Sequence, residues 1–136
     1  MIEPFTQVIY VAGPYRCPIK KGVQRNIDRA MEAAQRLWQR GYVALCPHGN
    51  SAHFTGEDWW YLTGYLEALA RCDAMFVLKG SENSAGTQAE IAQARRLGMP
   101  IYHEGGDEPP DLLNPREPDI VVYQAIECTI HRGASL

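Results

Sequence analysis

DAMFVLKGSENSAGTQAEIAQARRLGMPIYH, from Asp73 to His103, contains one complete strand–helix–strand unit. The apolar run DAMFVLKG predicts a buried strand, and PIYHEGG predicts another. Between them, alanines, Ile91 and Leu97 recur at helical spacing, and GMP ends the helix with a glycine followed by a proline. Ser84 or Thr87 is expected to cap the start of this helix, because both side chains accept hydrogen bonds from backbone N–H groups.

The same alternation extends upstream of this unit. QVIYVAG (7–13) and YVALCP (42–47) predict two more strands, whereas QRNIDRAMEAAQRLWQRG (24–41) and DWWYLTGYLEALARC (58–72) predict helices. The apolar stripe of the first helix comprises Ile27, Ala30, Met31, Ala34, Leu37 and Trp38. Three successive strand–helix–strand units predict a doubly wound α/β domain of the Rossmann or flavodoxin type. Its parallel sheet would have four to five strands, with helices on both faces.

The chain of 136 residues is predicted to be a single domain with its core at about residues 7–104. Residues 105–136 differ in composition from this core. They begin with GGDEPPDLLNPREPD, which predicts an exposed, acidic and Pro-rich loop. The following run, IVVYQAIECTI (120–130), predicts a fifth strand or an extended C-terminal arm.

The composition of the chain limits the kinds of binding partner that we expect. A net charge of −3 argues against binding to a nucleic-acid polymer, although a small anion needs only one or two arginines. The first residues, MIEPFTQVIYVAG, lack a basic start and a long apolar run, so we expect a cytoplasmic protein that does not insert into a membrane. Four widely spaced cysteines and four histidines form no pattern of metal ligands, and we expect no metal and no cofactor.

Ligands of doubly wound domains bind beyond the carboxyl ends of the strands, which makes three loops candidates for a binding site. These loops are GPYR (13–16), PHGN (47–50) and GSENSAG (80–86). Their candidate binding residues are Gly13, Pro14, Tyr15, Arg16, His48, Asn50, Ser84 and Gly86. Glu90 lies just behind the third loop, inside the first turns of its helix.

Each of these features also has an ordinary structural interpretation. Gly13 would permit a tight turn and the close approach of a ligand, and Arg16 would pair with a phosphate or carboxylate. The same loop can equally be a simple turn with one solvated arginine. A single loop histidine such as His48 is most often polar surface. Glu90, in its simplest interpretation, complements the dipole of its helix.

Taken together, the motifs resemble the nucleoside 2-deoxyribosyltransferase-like superfamily. The resemblance is carried by YVAGPYR (10–16), LARCDAMFVL (69–78) and SAGTQAEIAQARRLG (84–98), and it covers about Val8 to Tyr102. Within the superfamily, the chain is most similar to small bacterial and phage members related to 2′-deoxynucleoside 5′-monophosphate N-glycosidases.

This resemblance implies a hydrolase or transferase that acts on the N-glycosidic bond of a nucleoside or nucleotide. It implies that Glu90 is the nucleophile that attacks the anomeric carbon, and that Tyr10 holds this carboxylate. It also implies that Gly13 and Arg16 belong to a phosphate-facing loop and that Ser84 is a phosphate ligand. A carboxylate nucleophile divides the cleavage into two steps through a covalent sugar ester.

One position departs from the superfamily. An Asp usually precedes the pattern LExL…CD in the second helix and assists the departing base or orients the sugar. Tyr65 occupies that place in YLEALARCD and is a candidate substrate-binding residue, whereas Glu57 and Asp58 are the acids that can replace the missing carboxyl. The alternative hypothesis is therefore a nucleotide-binding or sensing module with reduced or lost catalysis.

The second helix also predicts self-association. It carries more aromatic and apolar surface than a single stripe facing the sheet requires, namely Trp59, Trp60, Tyr61, Leu62, Tyr65, Leu66 and Leu69. We expect a homodimer or higher homo-oligomer with a two-fold interface on this helix, as the resemblance also implies. The alternative is that both tryptophans pack inside the chain beneath the PHGN loop.

Overall fold

The computed structural model describes residues 3–113 and shows a four-stranded, all-parallel sheet between helices. In chain order, the elements are β1 (Val8–Ala12), α1 (Lys20–Gln39), β2 (Val43–Leu45), α2 (Pro47–Asn50), α3 (Asp58–Ala70), β3 (Ala74–Val77), α4 (Ala85–Arg96) and β4 (Ile101–His103). This arrangement confirms the predicted α/β fold with a parallel sheet.

The strand order is β2-β1-β3-β4, so the chain moves first to one side of β1 and then to the other. The neighbours are in register at Val8 with Val43, Ile9 with Ala74 and Met75 with Ile101. The connection after β1 runs to β2 on one side of the sheet, and the connection after β3 runs to β4 on the other side. This divergence opens a crevice at the carboxyl ends of the two central strands. The three candidate loops all begin at this edge of the sheet.

Successive side chains along the central strands point to opposite faces of the sheet, so the core has one part on each face. Ile9, Val11 and Phe76 pack on one face together with residues of α1. Tyr10 and Met75 point to the opposite face, into a cluster formed with residues of α3 and α4. The side chain of Tyr10 is therefore directed toward the helix that carries Glu90.

The first helix differs from its sequence prediction at its start and along its stripe. It begins at Lys20, about one turn before the predicted Gln24, because the N–H groups of Gly22 and Val23 donate to the carbonyl of Ile19. The predicted apolar stripe is buried except at Met31 and Trp38. Their side chains are 51% and 45% exposed, whereas Ala33 and the other stripe positions are buried.

Two loops also have more structure than their composition predicted. PHGN forms the single helical turn α2, with Pro47 in its first turn. Residues 104–113, here called the strap, pack against α1 instead of lying free. The Glu104 carboxylate bridges Arg29 and Arg36 at 3.3 and 3.1 Å, and Leu112 joins the apolar cluster on the α1 face.

The predicted C-terminal strand or arm at residues 120–130 lies outside the described part of the chain. Between residues 3 and 113, no helix combines the length and apolar character needed to cross a membrane.

Candidate active site

The central contact of the candidate site joins Tyr10 to Glu90. Tyr10 lies on β1 with its side chain fully buried, and Glu90 lies on α4 with its side chain half-buried. The Tyr10 hydroxyl donates a short hydrogen bond to Oε2 of Glu90. Because the contact uses one carboxylate oxygen, Oε1 remains as the second oxygen of a carboxylate that is held in place from the sheet.

The surroundings of this pair change the acidity of both groups. Burial raises the pKa of Glu90 from 4.5 to about 7, and the hydrogen bond from Tyr10 works in the opposite direction. Burial and the nearby Glu90 carboxylate raise the pKa of the Tyr10 phenol far above its usual range. Tyr10 therefore acts only as a hydrogen-bond donor, while Glu90 changes its charge near neutral pH.

Gly13 is buried where the first loop leaves β1, and its packing gives a further reason for a glycine at this position. Its φ angle is not positive. A Cβ at this position would lie 2.6 Å from Cδ1 of Leu78, at the end of β3. The glycine is thus needed because β1 and β3 leave no space for a side chain. The next part of the loop is held by Asn26, whose side-chain amide donates to the Tyr15 carbonyl at 3.2 Å.

His48 supports the same loop from α2. The ordinary interpretation of this histidine as polar surface does not hold, because its side chain is 6% exposed. Its Nε2 lies 3.1 Å from the carbonyl oxygen of Gly13 and 2.9 Å from that of Pro14. Two acceptors at one nitrogen require Nε2 to carry the hydrogen. Burial lowers the pKa of His48 and keeps the ring neutral, so it positions the loop.

Arg16 extends from this loop to the surface, where its guanidinium forms an ion pair with the carboxylate of Asp58. The two side chains are 73% and 77% exposed, so the pair adds little to stability. Asp58 is in the first turn of α3 and is occupied by this arginine. An incoming phosphate would compete with Asp58 for Arg16.

The third loop ends at the N-terminus of α4, as predicted. The Ser84 side chain caps the helix, since its Oγ accepts bonds from the Thr87 N–H at 3.3 Å and from the Thr87 hydroxyl at 2.8 Å. Both bonds use the oxygen as an acceptor, so the hydrogen of the Ser84 hydroxyl can still be donated to a ligand. Gly86 lies exposed in the first turn, and open space surrounds the position of an added Cβ.

Tyr65 links the second loop to α3 through a small polar network. Its hydroxyl donates to Oγ of Ser51 at 2.7 Å and accepts from Nδ2 of Asn50 at 3.0 Å. The ring packs against the cluster that contains Tyr10, and its phenol is near enough to contribute to the raised pKa of Tyr10. Tyr65 therefore lies near Tyr10, and Asn50 is hydrogen-bonded to its hydroxyl.

The aromatic residues at the start of α3 face solvent. Trp59 and Trp60 are 64% and 52% exposed, which rules out the alternative that both pack inside this chain. Trp60 and Tyr65 line a shallow depression of about 240 Å³ together with Asn50 and Ser51. Within residues 3–113, no three His, Cys, Asp or Glu side chains come together in a group suited to a metal ion.

Sequence reasoning did not identify Ser51, Asn26 or Leu78 as parts of the site. The bond from Tyr65 to Ser51 depends on how α3 packs against the second loop. Asn26 lies in a stretch that had no loop signal, and Leu78 ends an ordinary buried strand. Contacts of this kind join residues distant in the sequence, so no local pattern encodes them.

The fold is similar to solved structures of two 2-deoxyribosyltransferases. The enzyme from the psychrotolerant bacterium Bacillus psychrosaccharolyticus is 22% identical with a TM-score of 0.55, covering 71% of this chain and 70% of its own. The enzyme from Leishmania mexicana is 14% identical with a TM-score of 0.51, covering 92% and 97%. At such low identity, the likeness concerns the fold. No curated protein matches this chain in sequence.

A protein-family model matches residues 7–104, which include every candidate site residue from Tyr10 to Glu90. The model carries the description "Domain of unknown function (DUF7768)". Since the match spans more than half of the chain, the protein belongs to the DUF7768 family.

Proposed function

We propose that this protein breaks the N-glycosidic bond of a nucleoside or a nucleoside 5′-monophosphate, with Glu90 as the nucleophile. The observation that supports this most strongly is the contact between the buried Tyr10 hydroxyl and the Glu90 carboxylate at the carboxyl edge of the sheet. A lone acid serving only the helix dipole would gain nothing from being half-buried against a tyrosine. The fold shared with two 2-deoxyribosyltransferases supports a nucleoside-like substrate.

The proposed reaction has two steps. Oε1 of ionised Glu90 attacks the anomeric carbon, the bond from this carbon to the base nitrogen breaks, and the base leaves with the electron pair and takes up a proton. Water then attacks the same carbon, which releases the sugar and returns the carboxylate. Tyr10 acts throughout by holding Oε2, which leaves Oε1 to react.

Arg16 and Ser84 favour a 5′-phosphate on the substrate, and hence hydrolysis of a nucleotide over base transfer between nucleosides. Backbone N–H groups at the N-terminus of α4 and the Ser84 hydroxyl can donate to phosphate oxygens. Arg16 is exposed and, among residues 3–113, forms its ion pair with Asp58 on the surface, so it can exchange this partner for a phosphate. The phosphate would thus be held at the end of the helix that carries Glu90.

A second candidate function, a nucleotide-binding or sensing module, is favoured by one observation. The hydroxyl of Tyr65 occupies the position where a general acid is expected, and it already donates to Ser51. A positioned acid contributes about 100-fold or more to proton transfer, so catalysis without one would be slow. The same pocket would then retain a nucleotide without cleaving it efficiently.

Release of free base from a panel of nucleosides, nucleotides and their deoxy forms distinguishes these two functions. The enzyme hypothesis predicts base release by the wild-type protein and by Glu82→Gln, which changes an exposed carboxyl of the same loop, but none by Glu90→Gln. Binding of a nucleotide by calorimetry without base release would support the sensing module instead. If no compound of the panel binds and none releases base, both functions are rejected.

A further inference from the structure

A second surface feature lies between α1 and the outer side of β2, and its lining includes Asn50 of the candidate site. It is an open groove of about 830 Å³. Its apolar lining includes Met31 and Trp38 from α1, Ala44 and Leu45 from β2, and Cys46 directly after the strand. Met31 and Trp38 are the two stripe residues that remain about half exposed. Among residues 3–113, the Phe5 ring lies 6.1 Å from that of Trp38, and much of this apolar surface stays exposed.

β2 is an edge strand, and it borders the groove with backbone groups that can pair with another strand. The N–H of Val43 donates to the Gln7 carbonyl next to β1 at 2.9 Å. Alternate residues of a parallel strand direct their backbone groups to opposite sides, so the N–H and C=O of Ala44 point outward. The groove therefore combines apolar side chains with a donor and an acceptor, as a docking site for a strand requires.

We propose that residues 120–130 of this same chain dock in the groove as a fifth strand, parallel to β2. The segment reads IVVYQAIECTI. One set of alternate residues is apolar except for a single glutamine, namely Ile120, Val122, Gln124, Ile126, Cys128 and Ile130. This set faces Met31 and Trp38, while the other set, which contains Glu127 and Thr129, faces the opposite side of the sheet.

The course of the strap brings the chain to the correct end of the groove. The N–H groups of Leu112 and Leu113 both donate to the carbonyl of Arg40, at the end of α1 and just before β2. The intervening residues 114–119, NPREPD, span up to ~20 Å when extended. This length suffices to pass the end of α1 and enter the groove beside the first residue of β2.

The handedness of the connection selects this edge of the sheet over the β4 edge. The strap leaves β4 and runs over the face that α1 covers, where Glu104 and Leu112 make their contacts. The β1–α1–β2 connection uses the same face and moves in the same direction along the sheet. A crossover from β4 over that face to the outer side of β2 is therefore right-handed, whereas one to the free edge of β4 would be left-handed.

Charge also agrees with the parallel orientation. α1 runs antiparallel to β2, so Asp28 and Glu32 line the groove toward the carboxyl end of the strand. His131 and Arg132 follow the proposed strand directly in the sequence. A parallel strand brings these two residues next to the acids, whereas an antiparallel strand would bring them toward Trp38.

Nuclear magnetic resonance on the full-length protein tests this proposal. We expect nuclear Overhauser contacts between the Ala44 backbone and residues 121–129, and protection of the Ala44 amide from hydrogen exchange on the order of 100-fold. Ile126→Asp places a charge on the groove-facing set and should abolish this protection. Thr129→Asp introduces the same charge on the opposite set and should retain it.

Several results would overturn the proposal. These are an unprotected Ala44 amide in the wild-type protein, equal protection in both variants, or contacts from residues 121–129 to β4. Protection that grows with protein concentration would assign the groove to a second copy instead. If Ile126→Asp unfolds the whole domain, the contacts measured in the wild-type protein decide the question.

Discussion

Glu90→Gln is expected to stabilise the fold at high pH while it removes activity. The folded protein holds the Glu90 proton more tightly than the unfolded chain does, because burial raises its pKa from 4.5 to about 7. The free energy of unfolding therefore falls as the pH rises through this window and stays lower above it. Glutamine is neutral at every pH and can still accept the bond from Tyr10, so the variant avoids this loss.

The size of the expected stabilisation follows from the shift in the pKa of Glu90. Each pKa unit corresponds to about 1.4 kcal/mol, so the shift from 4.5 to about 7 gives a gain of at most ~3.5 kcal/mol at pH 8 and close to zero at pH 4. For a domain of this size, such a gain raises the melting temperature at pH 8 by on the order of 10 °C. Thermal unfolding followed by circular dichroism at both pH values measures the difference between wild type and variant.

Glu82→Gln is the matched control, because it removes a carboxyl that is exposed to solvent from the loop before α4. Its melting temperature should follow that of the wild-type protein at both pH values. If Glu90→Gln differs from wild type by the same amount at pH 4 and pH 8, Glu90 does not titrate as a buried group. The proposed coupling between its burial and its reactivity would then be refuted.

Three further predictions concern the site and its assembly. Tyr10→Phe removes the hydrogen bond that lowers the pKa of Glu90. The rate should fall on the acidic side of its pH profile near pH 7 in the wild type, and this fall should move to higher pH in the variant. An unchanged profile would show that the contact plays no part in catalysis. Nucleotides should bind more tightly than nucleosides by calorimetry, and Arg16→Gln should reduce this preference about tenfold or more; equal affinities would argue against a phosphate site. Light scattering should give a mass of at least two chains, since Trp59 and Trp60 are exposed, and a mass near 15.3 kDa would contradict self-association.

The order of strands and helices could be predicted from the sequence because each element has a local pattern. β3 is a short apolar run and α4 has helical spacing between a serine cap and a glycine stop, and both occur where predicted. A parallel sheet and the functional edge followed from the repeated alternation. The candidate pair of Tyr10 and Glu90 came from the resemblance of the motifs, because no local pattern joins residues on β1 and α4.

The features that the sequence did not predict arise where contacts between distant residues add to the local pattern. Met31 and Trp38 match the apolar stripe of α1, but residues 3–113 leave both side chains about half exposed. His48 looked like a surface residue because its two carbonyl partners belong to the first loop. Gly13 is required by Leu78 on β3, which is remote in the sequence. Packing between elements determined each of these positions.

Intact-protein mass spectrometry after rapid acid quenching tests most directly whether Glu90 is a nucleophile. During turnover of a nucleotide or nucleoside from which base is released, the wild-type protein should gain the mass of one sugar unit, with its 5′-phosphate where the substrate carries one. Peptide mapping should place this ester on Glu90, and Glu90→Gln should acquire no adduct. Base release that continues in Glu90→Gln at a tenth or more of the wild-type rate, or an adduct on another residue, would contradict the account.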